Sequence, residues 1–108
     1  MIERRSEPRV PADDLPVQIW GVDTHGVPFL QNAFARNLSV RGALLTGIEQ
    51  ELRAGDLLGV QHKGKRARFR IVWIGYYSDP RQMIEAAIHR LDGDDCPWQE
   101  ELFRHAGK

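Results

Sequence analysis

Two arginines near the start of the chain have the chemistry and spacing of an anion-binding pair. Arg5 and Arg9 are four residues apart in the segment Arg4-Arg5-Ser6-Glu7-Pro8-Arg9, which is too polar and too interrupted by proline to be core. A guanidinium is planar and permanently charged, and it pairs bidentately with phosphate oxygens or with the O6/N7 edge of guanine. The spacing alone is weak evidence, because Arg66 and Arg70 repeat it. A solvated basic arm is the alternative interpretation of residues 1–14.

A second polar stretch, Asn37-Leu38-Ser39-Val40-Arg41-Gly42, lies between two apolar segments. This pattern predicts the end of one half-buried strand, a short turn whose polar side chains stay at the surface, and the start of another strand. Asn37 and Ser39 offer short hydrogen-bonding side chains that could meet a base edge. Gly42 fits a backbone that needs positive φ or close approach. Both polar residues are also common turn formers, which is the alternative interpretation.

The spacing of the remaining residues does not support a metal site, a calcium loop or a serine nucleophile. The four histidines are scattered without the spacing of metal ligands. Asp92-Gly93-Asp94-Asp95 resembles the opening of a calcium loop, but Phe103 stands where the bidentate Glu belongs, so an acidic turn is favoured. Ser39 lies in no Gly-x-Ser-x-Gly elbow, and no base or oxyanion hole can be assigned to it. We therefore expect no enzyme activity, no metal and no cofactor.

Length and composition indicate one globular domain. The 108 residues are 42% hydrophobic and 28% charged, with a formal net charge of zero, so no global field attracts nucleic acid or an anionic membrane. Basic residues between Lys63 and Arg70 alternate with apolar ones. This pattern favours a strand whose basic side chains lie on the solvent-exposed face, rather than a nucleic-acid site. One cysteine, Cys96, and the lack of a long apolar run favour a cytoplasmic protein without membrane insertion. A monomer or weak homodimer is expected.

Period-two alternation predicts six strands between residues 15 and 92, joined mostly by hairpins. Gly64 in the turn His62-Lys63-Gly64-Lys65 supplies positive φ, and Leu52 is expected to be buried within the connection Ile48 to Gly55. The strands are predicted at 15–20, 27–38, 42–46, 56–61, 66–73 and 83–91, with Ala67, Phe69, Ile71 and Trp73 on one face of the fifth. A helix over 96–106 should dock Trp98 and Leu102. The fold class predicted is all-β: a small six-stranded antiparallel β-barrel with a short C-terminal α-helix.

The order of these motifs resembles the PilZ family, the bacterial cyclic di-GMP receptor domain. The similarity spans nearly the whole chain: Arg5-x-x-x-Arg9 precedes Asn37-x-Ser39-x-x-Gly42, and Leu52-x-x-Gly55-Asp56 and Ile71-Val72-Trp73-Ile74 follow. Each motif is modest, but their order and placement together are fairly specific. The resemblance implies one PilZ-like domain over 1–108, with a flexible arginine arm at 1–14 that wraps over the ligand.

Carried over by residue, the resemblance implies a cyclic di-GMP site. Arg5 and Arg9 would bind guanines and phosphates, Asn37 and Ser39 would hydrogen-bond a guanine edge, and Gly42 would make room for the turn. Arg4 resembles an extra arginine of members that bind a stacked ligand dimer.

One position departs from the family's commonest pattern, which has Asp at the place of Asn37. A neutral amide oxygen accepts less strongly than a carboxylate, so weakened or altered binding is expected. The chain also has Glu85-Ala86-Ala87 where the family tends to place a Gly. The expected function is a non-catalytic receptor or adaptor that signals to a protein partner when the ligand rearranges the arm. The alternative is a PilZ-like barrel that binds no nucleotide and acts as an interaction adaptor through Trp98, Leu102 and Phe103.

Overall fold

A computed structural model describes residues 14–76 and 84–106. Within them six strands form a closed antiparallel barrel in the order β1-β2-β3-β6-β5-β4, and a short helix follows. The elements are β1 Leu15–Val22, β2 Pro28–Arg36, β3 Gly42–Ile48, β4 Leu57–His62, β5 Lys65–Tyr76, β6 Ile84–Arg90 and α1 Gln99–Ala106. The predicted fold class is confirmed.

Alternation places one face of each strand in a single core inside the barrel. The fully buried side chains include Ile19, Leu45, Phe69 and Ile88, each exposed by 1% or less, and Leu52 reaches the same core from the connection after β3. The β4–β5 hairpin has the predicted tight turn, in which Lys63 and Gly64 both have positive φ, 51° and 81°. Closure of the sheet pairs β1 with β4, and Ile19 lies opposite Val60.

Trp73 does not face the core, and the prediction that placed it there is wrong. The β5–β6 register shifts after Ile71: Ile71 pairs with Ile88, whereas Trp73 pairs with Ala87. Val72 is the extra residue of this β-bulge, which turns the alternation over. As a result Trp73 is 49% exposed on the outside of the barrel.

The helix begins at Gln99, three residues later than predicted, and it docks through the predicted side chains. Trp98 is fully buried, and its ring centroid lies 5.3 Å from that of Phe69. Leu102 is 7% exposed. Before the helix, Asp94 accepts hydrogen bonds from the Arg68 backbone and guanidinium. The residues before the helix therefore close one end of the barrel.

Candidate functional site

The turn between β2 and β3, residues 37–42, lies at the end of the barrel that Trp98 closes. Its first residue, Asn37, is exposed and has a φ of 53°. Asparagine accepts this left-handed conformation more readily than most residues, which gives Asn37 a structural role besides any binding role. The side chain is presented at the surface, as predicted.

Ser39 is buried, which corrects the expectation that every polar side chain of the turn stays at the surface. It is 1% exposed. Its Oγ accepts a hydrogen bond from the Gly42 N–H at 3.2 Å, and its own N–H donates to the Gly42 carbonyl at 2.9 Å. Ser39 thus closes the turn on itself, as serine does when it bonds nearby backbone.

Gly42 is required by close approach rather than by a left-handed backbone, since it is not among the described residues with positive φ. It pairs with His89 of β6. A Cβ at Gly42 would lie 1.9 Å from the Ile88 carbonyl oxygen, closer than non-bonded atoms can pack. The expectation of close approach is confirmed, and the contact is with the β6 backbone.

Two residues distant in sequence hold the turn in place. Trp98 Nε1 donates to the Ser39 carbonyl at 2.9 Å. Arg90 donates from Nε to the Val40 carbonyl at 3.0 Å and from its backbone N–H to the Arg41 carbonyl at 2.6 Å. With Gly42 accepting from Ser39, four consecutive carbonyl oxygens are hydrogen-bonded inside the protein. The turn is therefore a preorganised element, held by Arg90, which the sequence pattern did not single out, and by Trp98, which was predicted only to dock the helix.

The guanidinium of Arg90 is itself oriented by the segment before the helix. It donates through Nη1 to the Asp94 carbonyl. Hydrogen bonds from the Arg68 side chain and backbone, helped by the charge of Arg90, lower the pKa of Asp94 to about 2. Asp94 is consequently ionised throughout the physiological range and tethers β5 to the region that supports the turn.

The root of the N-terminal arm lies beside the turn. Leu15 pairs with Ala35, and the Asp14 carboxylate accepts hydrogen bonds from Arg36 Nε and Nη2 at 2.8 and 3.2 Å. Arg36 directly precedes Asn37, so residue 14 and the turn are adjacent. Arg4, Arg5 and Arg9 lie outside the described residues.

A second cluster of polar side chains joins α1 to the β4–β5 turn. Buried His62 bonds the Pro16 carbonyl through Nδ1 at 3.0 Å and Glu101 Oε2 through Nε2 at 3.4 Å. Lys63 Nζ lies 3.2 Å from the same carboxylate oxygen. Burial raises the pKa of Glu101, but the hydrogen bonds from Lys63 and His62 outweigh it and the net shift is downward.

Neither a metal centre nor a membrane helix is found where the chain is described. Over residues 14–76 and 84–106, no three His, Cys, Asp or Glu side chains are grouped to hold a metal ion. In the same ranges, no helix has the length and apolar character needed to span a bilayer.

Comparison with known proteins does not establish a family. No protein-family model matches the chain. A stretch of 64 residues, 57% of the chain, is 34% identical to Elongation factor 4 of Streptomyces coelicolor. That stretch is 10% of the elongation factor's length. The chain therefore spans about a tenth of the length of that relative.

Proposed function

We propose that this protein is a non-catalytic receptor for cyclic di-GMP, in which the arginine arm clamps the ligand against the 37–42 turn. The observation that carries the proposal is the position of the arm's root. The Asp14–Arg36 ion pair and the Leu15–Ala35 pairing bring the last residue of the arm next to Asn37. The segment that carries Arg5 and Arg9 therefore joins the described part of the chain beside the 37–42 turn, which supports the proposal.

The length of the arm is sufficient for both arginines to reach the turn. An extended chain spans at most about 3.4 Å per residue, so the five residues from Arg9 to Asp14 cover up to roughly 17 Å and the nine from Arg5 up to roughly 31 Å. Cyclic di-GMP carries two guanines and two phosphodiesters, which are the groups that arginine recognises through paired hydrogen bonds. We assign both Arg9, which is joined to Asp14 by the shorter segment, and Arg5, which is joined by the longer one, to binding the ligand. Arg4 is assigned to a second ligand molecule.

The preorganised turn supports binding because little ordering is left to be done when the ligand arrives. The hydrogen bonds from Trp98 and Arg90 hold its backbone before any ligand is present. We assign recognition of a guanine edge to exposed Asn37. Ser39 and Gly42 are assigned to shaping the turn, since the Ser39 hydroxyl is buried against the Gly42 amide.

The proposed output is a change of surface. A bound dianion draws the arm onto the barrel, and a partner protein reads the rearranged arm, as in other switches that order a segment on ligand binding. The proposed setting is the reducing cytoplasm of a bacterium, where the single thiol of Cys96, buried in this fold, stays reduced.

The alternative function is an interaction adaptor that binds no nucleotide. The burial of its expected contact residues narrows the set that a partner could touch. Trp98 and Leu102 are buried against the barrel and are unavailable to a partner, whereas Phe103 is 66% exposed. Asn37 in place of the more common Asp favours this alternative mildly.

The test is isothermal titration calorimetry of cyclic di-GMP into the purified protein, with GTP as the control ligand. Saturable binding at micromolar or lower dissociation constant, with GTP silent, is expected. A stoichiometry of two ligands per chain would support the role of Arg4. Absence of heat at several temperatures would remove the receptor proposal and favour the adaptor.

Variants locate the site. Arg5→Ala and Arg9→Ala should each weaken binding by about 1 to 3 kcal/mol, because each removes charge-assisted hydrogen bonds. The matched control is Arg66→Ala, which breaks the second Arg-x-x-x-Arg pair of the chain at an exposed position of β5. Equal affinity in wild type and both arm variants would rule the assignment out. Asn37→Asp should tighten binding several-fold, because a carboxylate accepts from guanine N1 and N2 with charge assistance.

A further inference from the structure

The outer wall formed by β2, β1, β4 and β5 carries an ordered pattern of side chains. Cross-strand pairing aligns Leu30, Trp20, Gly59 and Arg68 in one row. The next row toward the arm's root consists of Asn32, Gln18, Gln61 and Arg66.

A third row lies on the opposite side of Trp20. Pro28 pairs with Val22, and Leu57 pairs with Arg70. Continuing the β1–β4 register by two residues sets Val22 beside Leu57, in agreement with the 3.5 Å between a Cβ position at Gly21 and the Leu57 carbonyl oxygen. Two rows are therefore apolar across three strands, and every row ends in an arginine.

The apolar part of this wall, which we call the outer field, consists of Trp20, Val22, Pro28, Leu30 and Leu57. Leu30 is 64% exposed, Val22 53% and Leu57 48%. Adjacent large exposed side chains of this kind mark interaction surfaces, whereas single ones are ordinary. The field lies on paired strands of a closed barrel, so its side chains are presented at fixed positions.

Gly59 makes the centre of the outer field flat. A Cβ there would lie 2.1 Å from the Trp20 ring, so the indole rests on the glycine backbone in place of a side chain. A flat indole on rigid strands is a suitable anchor for a partner, since tryptophan supplies a large contact area at small entropic cost.

The arginines that end the three rows, Arg66, Arg68 and Arg70, form what we call the arginine edge. Their charge determines which kind of partner suits the outer field. Arg68 is held by Asp94 at 3.1 Å, and Arg70 donates to the Gly55 carbonyl at 3.0 Å. Arg66, Arg68 and Arg70 are exposed, and the three rows contain no carboxylate. A second copy packed through the same wall would bring further arginines and no carboxylate from these rows to pair with them. The formal net charge of zero offers no long-range attraction to nucleic acid or an anionic bilayer.

We propose that the outer field and its arginine edge form a docking surface for an amphipathic protein segment with apolar side chains flanked by Asp or Glu. The apolar side chains pack on Trp20 and Leu30, and the carboxylates meet the arginines of β5, which is the complementarity that fixes orientation at interfaces. This surface is separate from the 37–42 turn, so it holds whether or not the protein binds cyclic di-GMP.

The test uses two synthetic peptides added to isotopically labelled full-length protein and followed by amide chemical shifts. One peptide is an amphipathic helix with leucines on one face and glutamates on both flanks, and the other has lysine at each glutamate position. The acidic peptide is expected to shift amides of β1, β2, β4 and β5 saturably, with at least tenfold weaker binding of the lysine peptide.

Variants connect the shifts to the surface. Leu30→Glu should abolish saturation, and Arg66→Gln should weaken it several-fold. Arg104→Gln, an exposed arginine on α1, should leave it unchanged. Melting curves check that each variant is folded.

Three outcomes would overturn the proposal. The first is equal binding of both peptides or no shift at millimolar peptide. The second is a concentration-dependent shift of the same amides without peptide, which would identify a second copy as the occupant. The third is protection of the same strands by phosphatidylserine vesicles and not by the acidic peptide, which would identify a membrane.

Discussion

Replacing Gly42 with alanine should destabilise the fold strongly, although the change adds one methyl group. A Cβ at this position lies 1.9 Å from the Ile88 carbonyl oxygen and 3.0 Å from its carbonyl carbon. Carbon and oxygen atoms of neighbouring strands approach to roughly 3.4 Å. The backbones of β3 and β6 must therefore separate by roughly 1.5 Å at this point.

The magnitude follows from two contributions. Overpacking that displaces backbone costs about 1 to 3 kcal/mol. The same displacement stretches the hydrogen bond from the Arg90 N–H to the Arg41 carbonyl, which contributes about 1 kcal/mol. The expected loss is about 3 kcal/mol in the free energy of unfolding. For a domain of this size that lowers the melting temperature by roughly 12 to 24 °C.

Urea denaturation followed by circular dichroism measures this loss, and Gly21→Ala is the matched control. Gly21 also lies in a strand, but a Cβ there meets Phe29 at 3.4 Å, an ordinary contact. The control should remain within about 0.5 kcal/mol of wild type, as for surface substitutions without a named defect. A Gly42→Ala protein as stable as the Gly21→Ala protein would refute the close approach. In that case Gly42 would have to be explained by ligand binding.

Trp98→Phe keeps a ring in the core but removes the hydrogen bond to the Ser39 carbonyl, so the free energy of unfolding should fall by about 1 to 3 kcal/mol in urea titrations. Asn37→Ala should cost about 1 kcal/mol in the same assay, because φ is 53° there, whereas Asn37→Gly should cost less. The lowered pKa of Glu101 stabilises the fold above its ordinary value of 4.5, and this is lost as pH falls through the folded value. The melting temperature of wild type should therefore exceed that of Glu101→Gln at pH 7, and the difference should shrink by pH 3.

The strand pattern was predictable because barrel strands alternate between core and surface. Leu15 to Trp20 and Ile84 to Ile88 follow this alternation without interruption, and the turn at Gly64 has its own local chemistry. Trp73 was not predictable in this way. A β-bulge depends on how two strands fit together, and one strand's periodicity carries no sign of it.

The position of the candidate site in the chain could be predicted from sequence. The hydrogen bonds that hold it could not. Asn37, Ser39 and Gly42 have turn-forming types, so the turn could be placed from sequence. The burial of Ser39 could not, because it depends on Arg90 and Trp98, which come from distant parts of the chain. The start of α1 was predicted at residue 96 and lies at Gln99, because the segment before it is held by tertiary contacts such as that of Asp94 with Arg68.

The bond between Trp98 and Ser39 joins residues 59 apart in the chain, and this has a consequence for folding kinetics. The β2–β3 hairpin contains the turn and can form early from local contacts. Its carbonyls at Ser39 and Val40 find their donors only when Arg90 and Trp98 arrive, after the long-range pairings that close the barrel. Folds dominated by such pairings take milliseconds to seconds. We therefore expect the indole N–H of Trp98 to acquire hydrogen-exchange protection in the slowest refolding phase, so that the turn becomes fixed among the last parts of the molecule.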